Sequence, residues 1–358
     1  MNKHLKRTIV SLSIAIPSLV VTYFASGIIA IKIADQNIME RRGSSLEDLE
    51  LPRYKIFKNR KDFSSLANRE EYTFNLDGDT LYGYLYETSS PKGLVVSAHG
   101  VNDLSDSEHA IYQDYFLAHG FDVFAIDMAG CGKSSGIMHN LYHSKSCLDS
   151  ALNKVKEISK LAGLPICLFG HSWGAYGVVS TTLTNSYVKA VASLSGYDTP
   201  CNLMYQLALS NVGNFMAFTK PAFTFSCSVI HGNKLFVNAS DAVKANPNIG
   251  YYIVQGDKDN TVDYKRTSQY EVLSKENLNN VKLNLIEGMG HNSPWISLSS
   301  HKYIDEVVEP HLREIERTYG ENAKTYADEY ISTLDLNKTS EINIELMNEI
   351  LNFFEERI

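Results

Sequence analysis

Cysteine is scarce in this chain of 358 residues, and the little there is does not pair. Cys131, Cys147, Cys167, Cys201 and Cys227 are five in number, scattered and without a C-x-x-C spacing, which excludes a disulfide framework and a structural zinc site. Cys167 sits in an apolar run and reads as a small buried hydrophobe, whereas Cys131, in a glycine-rich loop, is the candidate for a free reactive thiol. Basic charge is also in deficit. Lys and Arg total 33 against 41 Asp and Glu, a net charge of -8, and no basic stripe exists to neutralise phosphates, so nucleic acid is not an expected partner. Internal repeats and low-complexity tracts are absent. With 44% hydrophobic and 21% charged residues the composition is that of an ordinary globular chain, long enough for one large domain with insertions or two modest ones.

Very long apolar runs are missing as well, except at the N-terminus. After Lys3, Lys6 and Arg7 no charged side chain occurs until Lys32, and the intervening TIVSLSIAIPSLVVTYFASGIIAI is long enough to cross about 30 Å of hydrocarbon. Residues 1–35 therefore read as a single-pass membrane anchor. A cleaved signal and a core helix are the alternatives; cleavage is disfavoured because Ala25 and Gly27 are followed by more apolar residues. Lys32, Arg41 and Arg42 nearly balance the basic tail, which leaves a mild bias towards an extracytoplasmic domain, while the free cysteines pull the other way. Residues 36–70 are mixed and charged and read as a linker with a short helix.

From residue 71 the pattern changes. EYTFNLDGDTLYGYLYE holds two alternating aromatic runs around Asp77-Gly78, a strong hairpin signal. Six further apolar runs follow, at 94–98, 121–126, 165–169, 188–194, 251–255 and 282–286, with amphipathic stretches between several of them. Continuous apolar strands alternating with helices predict an α/β domain over 71–358, with a mainly parallel sheet and helices on both faces. Functional loops then belong at the carboxyl ends of the strands. Two regions break the rhythm: about 197–248, rich in Phe, Met and Leu, and about 296–340, helical and charged. The last helix should return to the sheet.

LPICLFGHSWGAYGVVS puts Gly170-His171-Ser172-Trp173-Gly174 between a strand-like and a helix-like run, the context of a serine on a sharp strand-to-helix turn. A hydroxyl needs a base within hydrogen-bond reach and a carboxylate to orient that base. After the 251–255 run come Asp257, Asp259 and Asp263, and after the 282–286 run comes His291 in a glycine-flanked loop. Asp259 is the preferred acid, because Asp257 and Asp263 suit turn and helix capping. His231 and His301 compete for the base role, but neither follows a core strand. An oxyanion would be met by the N–H of Trp173 and by one from the loop after the 94–98 run, where Gly100 lets the backbone turn and Val101, or alternatively Asn102, offers the donor. His99 is expected to brace that loop. The stretch GCGKSSG contains Gly-Lys-Ser, yet Asp127 stands where a phosphate loop needs its first glycine, so it reads as a turn.

Together AHGVND, AIDMAGCGKSSG, GHSWGA, GDKD and GMGH, in that order, resemble the α/β-hydrolase family and within it serine hydrolases similar to monoacylglycerol lipases and esterases. The resemblance spans Glu71 to Pro294 and the last helix; Asn260 replaces a common proline and Ala175 a common glycine. It implies Ser172 as nucleophile, His291 as base, Asp259 as acid, and Val101 with Trp173 as oxyanion donors. A small-molecule ester or lipid substrate is expected, with no metal, nucleotide or redox cofactor; the apolar 201–227 within the 197–248 insertion reads either as a lid over the pocket or as packing on the domain. Amide or thioester cleavage, acyl transfer, and ligand binding without turnover are the alternatives, since one triad serves many acyl groups.

Overall fold

The computed structural model describes residues 18–29, 31–32, 41–212 and 218–358. The two runs of the expected hairpin and the six apolar runs after them are the strands of a single eight-stranded sheet ordered β1-β2-β4-β3-β5-β6-β7-β8. The strands are β1 (Glu70–Leu76), β2 (Asp79–Tyr86), β3 (Gly93–Ala98), β4 (Phe121–Asp127), β5 (Ile166–His171), β6 (Ala190–Leu194), β7 (Gly250–Gly256) and β8 (Val281–Ile286). β1 and β2 form the expected hairpin, with Asp77 and Gly78 both at positive φ, and β2 runs against β4. From β4 to β8 every pairing is parallel, so those strands end at a common edge.

Alternation within the strands builds two cores. Leu94, Val96 and Leu168 face one side with the buried residues of α2 (His143–Glu157) and α3 (Trp173–Ser180). Val95, Cys167 and Phe169 face the other side with α1 (Ala110–Ala118) and the C-terminal α8 (Ile344–Glu355). Successive strand residues point to opposite faces, and with helices on both the central strands must be apolar throughout. The last helix does return to the sheet: Phe354 stacks on Phe116, with ring centroids 5.8 Å apart, and Phe353 meets Tyr252.

The two irregular regions are helical. The first contains α4 (Pro200–Val212) and α5 (Lys220–His231). The second contains a short helix (Leu298–Tyr303), one π-helical turn, α6 (Glu309–Tyr319) and α7 (Ala323–Ser332), clustered on Ile56, Ile304, Val308 and Ile331. Residues 41–69, expected as a linker, are folded onto the domain: Ser44 Oγ and Tyr54 Oη both donate to the Asn102 carbonyl, at 2.6 and 2.8 Å. Of the expected membrane span, residues 8–17 lie outside the described residues, and 18–29 form a helix whose Phe24 ring meets Phe225 of α5 at 5.0 Å. Among the described residues no helix is long and apolar enough to cross a membrane.

Candidate active site

Ser172 sits at the end of β5, at φ 53° and ψ -111°, as the N-cap of α3. A non-glycine residue holds such a backbone only where its surroundings enforce it. The two glycines of the motif explain how. A Cβ on Gly170 would collide with the main-chain oxygen of Gly174, and one on Gly174 with that of Ala98, so the turn closes only with hydrogen at both positions. Asn102, Ser195 and Ser293 are the other positive-φ non-glycine residues on this edge.

The parallel edge brings the three sequence candidates together. His291 Nε2 lies 2.9 Å from Ser172 Oγ, and His291 Nδ1 lies 2.8 Å from Asp259 Oδ2. An ionised carboxylate only accepts, so Nδ1 carries the proton and Nε2 is free to accept from the serine hydroxyl. The Asp259 side chain has no exposed surface and that of His291 is 12% exposed. Its carboxylate is fully engaged: Oδ1 accepts from the N–H groups of Thr261 and Val262 at 2.9 and 2.8 Å, and Oδ2 also accepts from Gln255 Nε2 at 2.8 Å. Asp257 instead accepts from the Gly288 N–H, and Asp263 caps Lys265 and pairs with Arg266. Neither reaches the imidazole.

Val101 and Trp173 bracket the serine. Trp173 opens α3, where no intrahelical acceptor exists for its N–H, and among the described residues neither this N–H nor that of Val101 is taken up. A Cβ on Gly100 would lie 3.5 Å from Ser172 Cβ, which measures how closely the loop abuts the turn. His99 braces it, Nδ1 donating to the Gly100 carbonyl at 2.7 Å while Nε2 accepts from the Met128 N–H at 3.0 Å. Burial holds its imidazole below the ordinary range, so it stays a neutral strut.

Several supporting residues carry no sequence signal. His171 is buried, its Nε2 donates to the His291 carbonyl at 2.8 Å, and burial followed by the neighbouring His291 lowers its pKa to about 3. Glu108 accepts from Ser293 Oγ at 3.0 Å, and its carboxyl is pushed up by burial and then by Asp103. Burial pulls the His109 imidazole down, but Asp103 at 2.7 Å more than offsets this and holds it above its usual range. Of the rival bases, His301 bonds the Ser293 carbonyl at 3.1 Å and His231 ends α5; neither bonds Ser172. Cys131 is buried and its thiol is raised by burial, the opposite of a reactive thiolate. GCGKSSG folds as a turn on Asp127, which accepts from the Lys133 N–H at 3.0 Å.

A family model described as serine aminopeptidase, S33, matches residues 89–216, the segment from β3 through the serine turn to α4. That match covers the Val101 loop and the serine turn, while Asp259 and His291 lie beyond it. The chain has the α/β-hydrolase fold. It is a serine hydrolase by the same match. No curated protein matches this hydrolase. Among solved structures it is similar to an esterase from Pyrococcus furiosus (16% identity, TM-score 0.48, covering 74% of this chain and 90% of that one). It is likewise similar to an esterase from Butyrivibrio proteoclasticus solved with ferulic acid (20%, 0.47, 68% and 98%) and to a predicted hydrolase from Thermoplasma acidophilum (16%, 0.41, 74% and 99%). These likenesses are loose, and the sheet order and the matched segment carry the assignment.

Proposed function

We propose that the hydrolase cleaves carboxylic esters with Ser172 as nucleophile, His291 as general base and Asp259 as the acid that orients it. The observation that carries this reading is the unbroken relay from Asp259 through His291 to Ser172, at 2.8 and 2.9 Å, ending on a strained turn. His291 Nε2 takes the hydroxyl proton as Oγ bonds to the ester carbon, and the N–H groups of Val101 and Trp173 receive the oxyanion. Collapse breaks the ester C–O bond, and the proton on Nε2 passes to the leaving alcohol. Water then attacks the acyl-enzyme by the same route and frees the acid. Asp259 keeps the imidazole in one tautomer and stabilises its cationic form.

Esters come before amides because an alcohol leaves more readily than an amine and because apolar walls adjoin the Val101 loop. The aminopeptidase description of the matched model favours peptides as the second reading. Fluorophosphonate labelling and hydrolysis of matched ester and amide substrates test both. Wild-type protein should be labelled and Ser172→Ala should not, with ester turnover falling by at least about a thousandfold. Ester hydrolysis surviving in the alanine variant would remove Ser172 from the mechanism.

Anchoring in a membrane through residues 8–31, with the domain extracytoplasmic and α4 and α5 as a lid, belongs to the same proposal. Its support is the uncharged length of that segment and an apolar surface shared by 18–29 and α5, where Leu19, Val21, Phe225 and Val229 are exposed.

A further inference from the structure

A cavity of about 700 Å³ lies beside the relay and away from the α4–α5 pair. Three parts of the chain form it: the Leu51–Phe57 stretch, the loops holding Val101–Asp103 and Asn292–Ser293, and the helices of the second insertion. Ser172 and His291 do not themselves line it, but their immediate partners do, since Val101 is an oxyanion donor and Asn292 follows the base. At that end the wall is polar. Farther out, Ile56, Phe57, Ile304, Leu312, Ile315 and Ala327 make it apolar, and Glu309, Arg313 and Lys324, on exposed helix faces, ring the mouth.

A polar end at the reacting carbonyl and apolar walls beyond it match an amphipathic acyl group, and the volume falls within the usual range for small-molecule sites, about 300–1,000 Å³. The Leu51–Phe57 stretch closes the other side, pinned through Tyr54 to Asn102 and through Lys55 to Asp328 of α7 at 2.7 Å. The floor and roof of the cavity are thereby tied to each other and to the oxyanion loop. We infer that this cavity takes the acyl chain of the ester, and that α6 and α7 of the second insertion, with the Leu51–Phe57 stretch, set chain-length preference. This rests on Ser172 being the nucleophile.

The test uses the full chain and esters of one chromogenic alcohol with acyl groups from two to twelve carbons. In wild-type protein kcat/KM should climb by about fourfold per methylene until the cavity is full. Ala327→Phe fills it from the buried face of α7, and Ala323→Trp does so from a half-exposed position that spares the core. Both should cut octanoyl ester turnover at least tenfold while acetyl ester turnover stays within twofold. An unchanged chain-length profile in Ala323→Trp overturns the inference, and so does a profile that responds to Phe225→Ser on α5 instead. Acetyl ester hydrolysis that persists in Ser172→Ala would fail the nucleophile assignment, a separate result from either of these.

Discussion

At the scale of single residues the site depends on one carboxylate with every lone-pair direction used. Asp259 receives two main-chain N–H groups, the Gln255 amide and the His291 imidazole. Asp259→Asn preserves shape but places an NH2 against one of these donors, and relief comes most easily by turning the imidazole to its other tautomer, with its proton on Nε2. That nitrogen could then no longer accept from Ser172. By comparison with the same change in a serine protease triad, kcat for ester hydrolysis should fall by about ten-thousandfold. The near-ultraviolet circular dichroism should keep its wild-type form. A loss below tenfold with intact structure would show that Asp259 does not orient the base. Position just beyond β7 narrows the acid to Asp257, Asp259 and Asp263, and only the contact with His291 singles out Asp259, which also caps its own loop through the Thr261 and Val262 N–H groups. Ser44, Tyr54, Glu108 and His171 have no such mark. Each acts by one contact between segments remote in the chain, and no local spacing encodes such a contact.

At the scale of elements, legibility follows periodicity. The strands are readable because helices on both faces demand unbroken apolar runs, and the hairpin is readable because Asp77-Gly78 supplies two positive φ values. Residues 41–69 have neither period, being held by 3-10 turns, caps and the bonds to Asn102 and Asp106, so their sequence resembles a linker while their structure walls a cavity. The junction of β5 and α3 gives the prediction proper to this scale. Gly174 lets α3 sit against the end of β3, where a methyl group would meet the Ala98 carbonyl. Gly174→Ala should therefore push α3 off the sheet edge at a cost of about 1–3 kcal/mol, the usual range for overpacking. Because Ala98 leads directly into the loop holding Val101, kcat should drop along with the urea midpoint. A variant of wild-type stability and rate would mean that α3 and β3 do not constrain each other as their contact indicates.

At the scale of the whole molecule the exposed apolar residues are unevenly distributed. Leu19, Val20, Val21 and Ile29 on the N-terminal helical segment join Phe218, Phe225 and Val229 beside or on α5. The two helices touch closely, with Gly27 against the Ala222 main chain and the Tyr23 hydroxyl donating to the Phe218 carbonyl at 2.6 Å. On a soluble monomer a contiguous apolar patch of this kind marks an interaction site. Here it continues an uncharged segment that begins at Thr8. If that segment enters a bilayer, the exposed side of α5 is carried to the same surface, and the hydrolase is held with its first insertion towards lipid. Full-length protein should then remain in the membrane pellet after an alkaline carbonate wash, whereas a peripheral protein held by charge is released. A triple replacement of Phe218, Phe225 and Val229 by serine should keep the protein in the pellet, because the span is untouched, yet lower turnover of esters embedded in vesicles several-fold relative to soluble esters. Release of the full chain by carbonate would overturn the anchor, and equal turnover of both ester classes in the triple variant would separate α5 from the lipid surface.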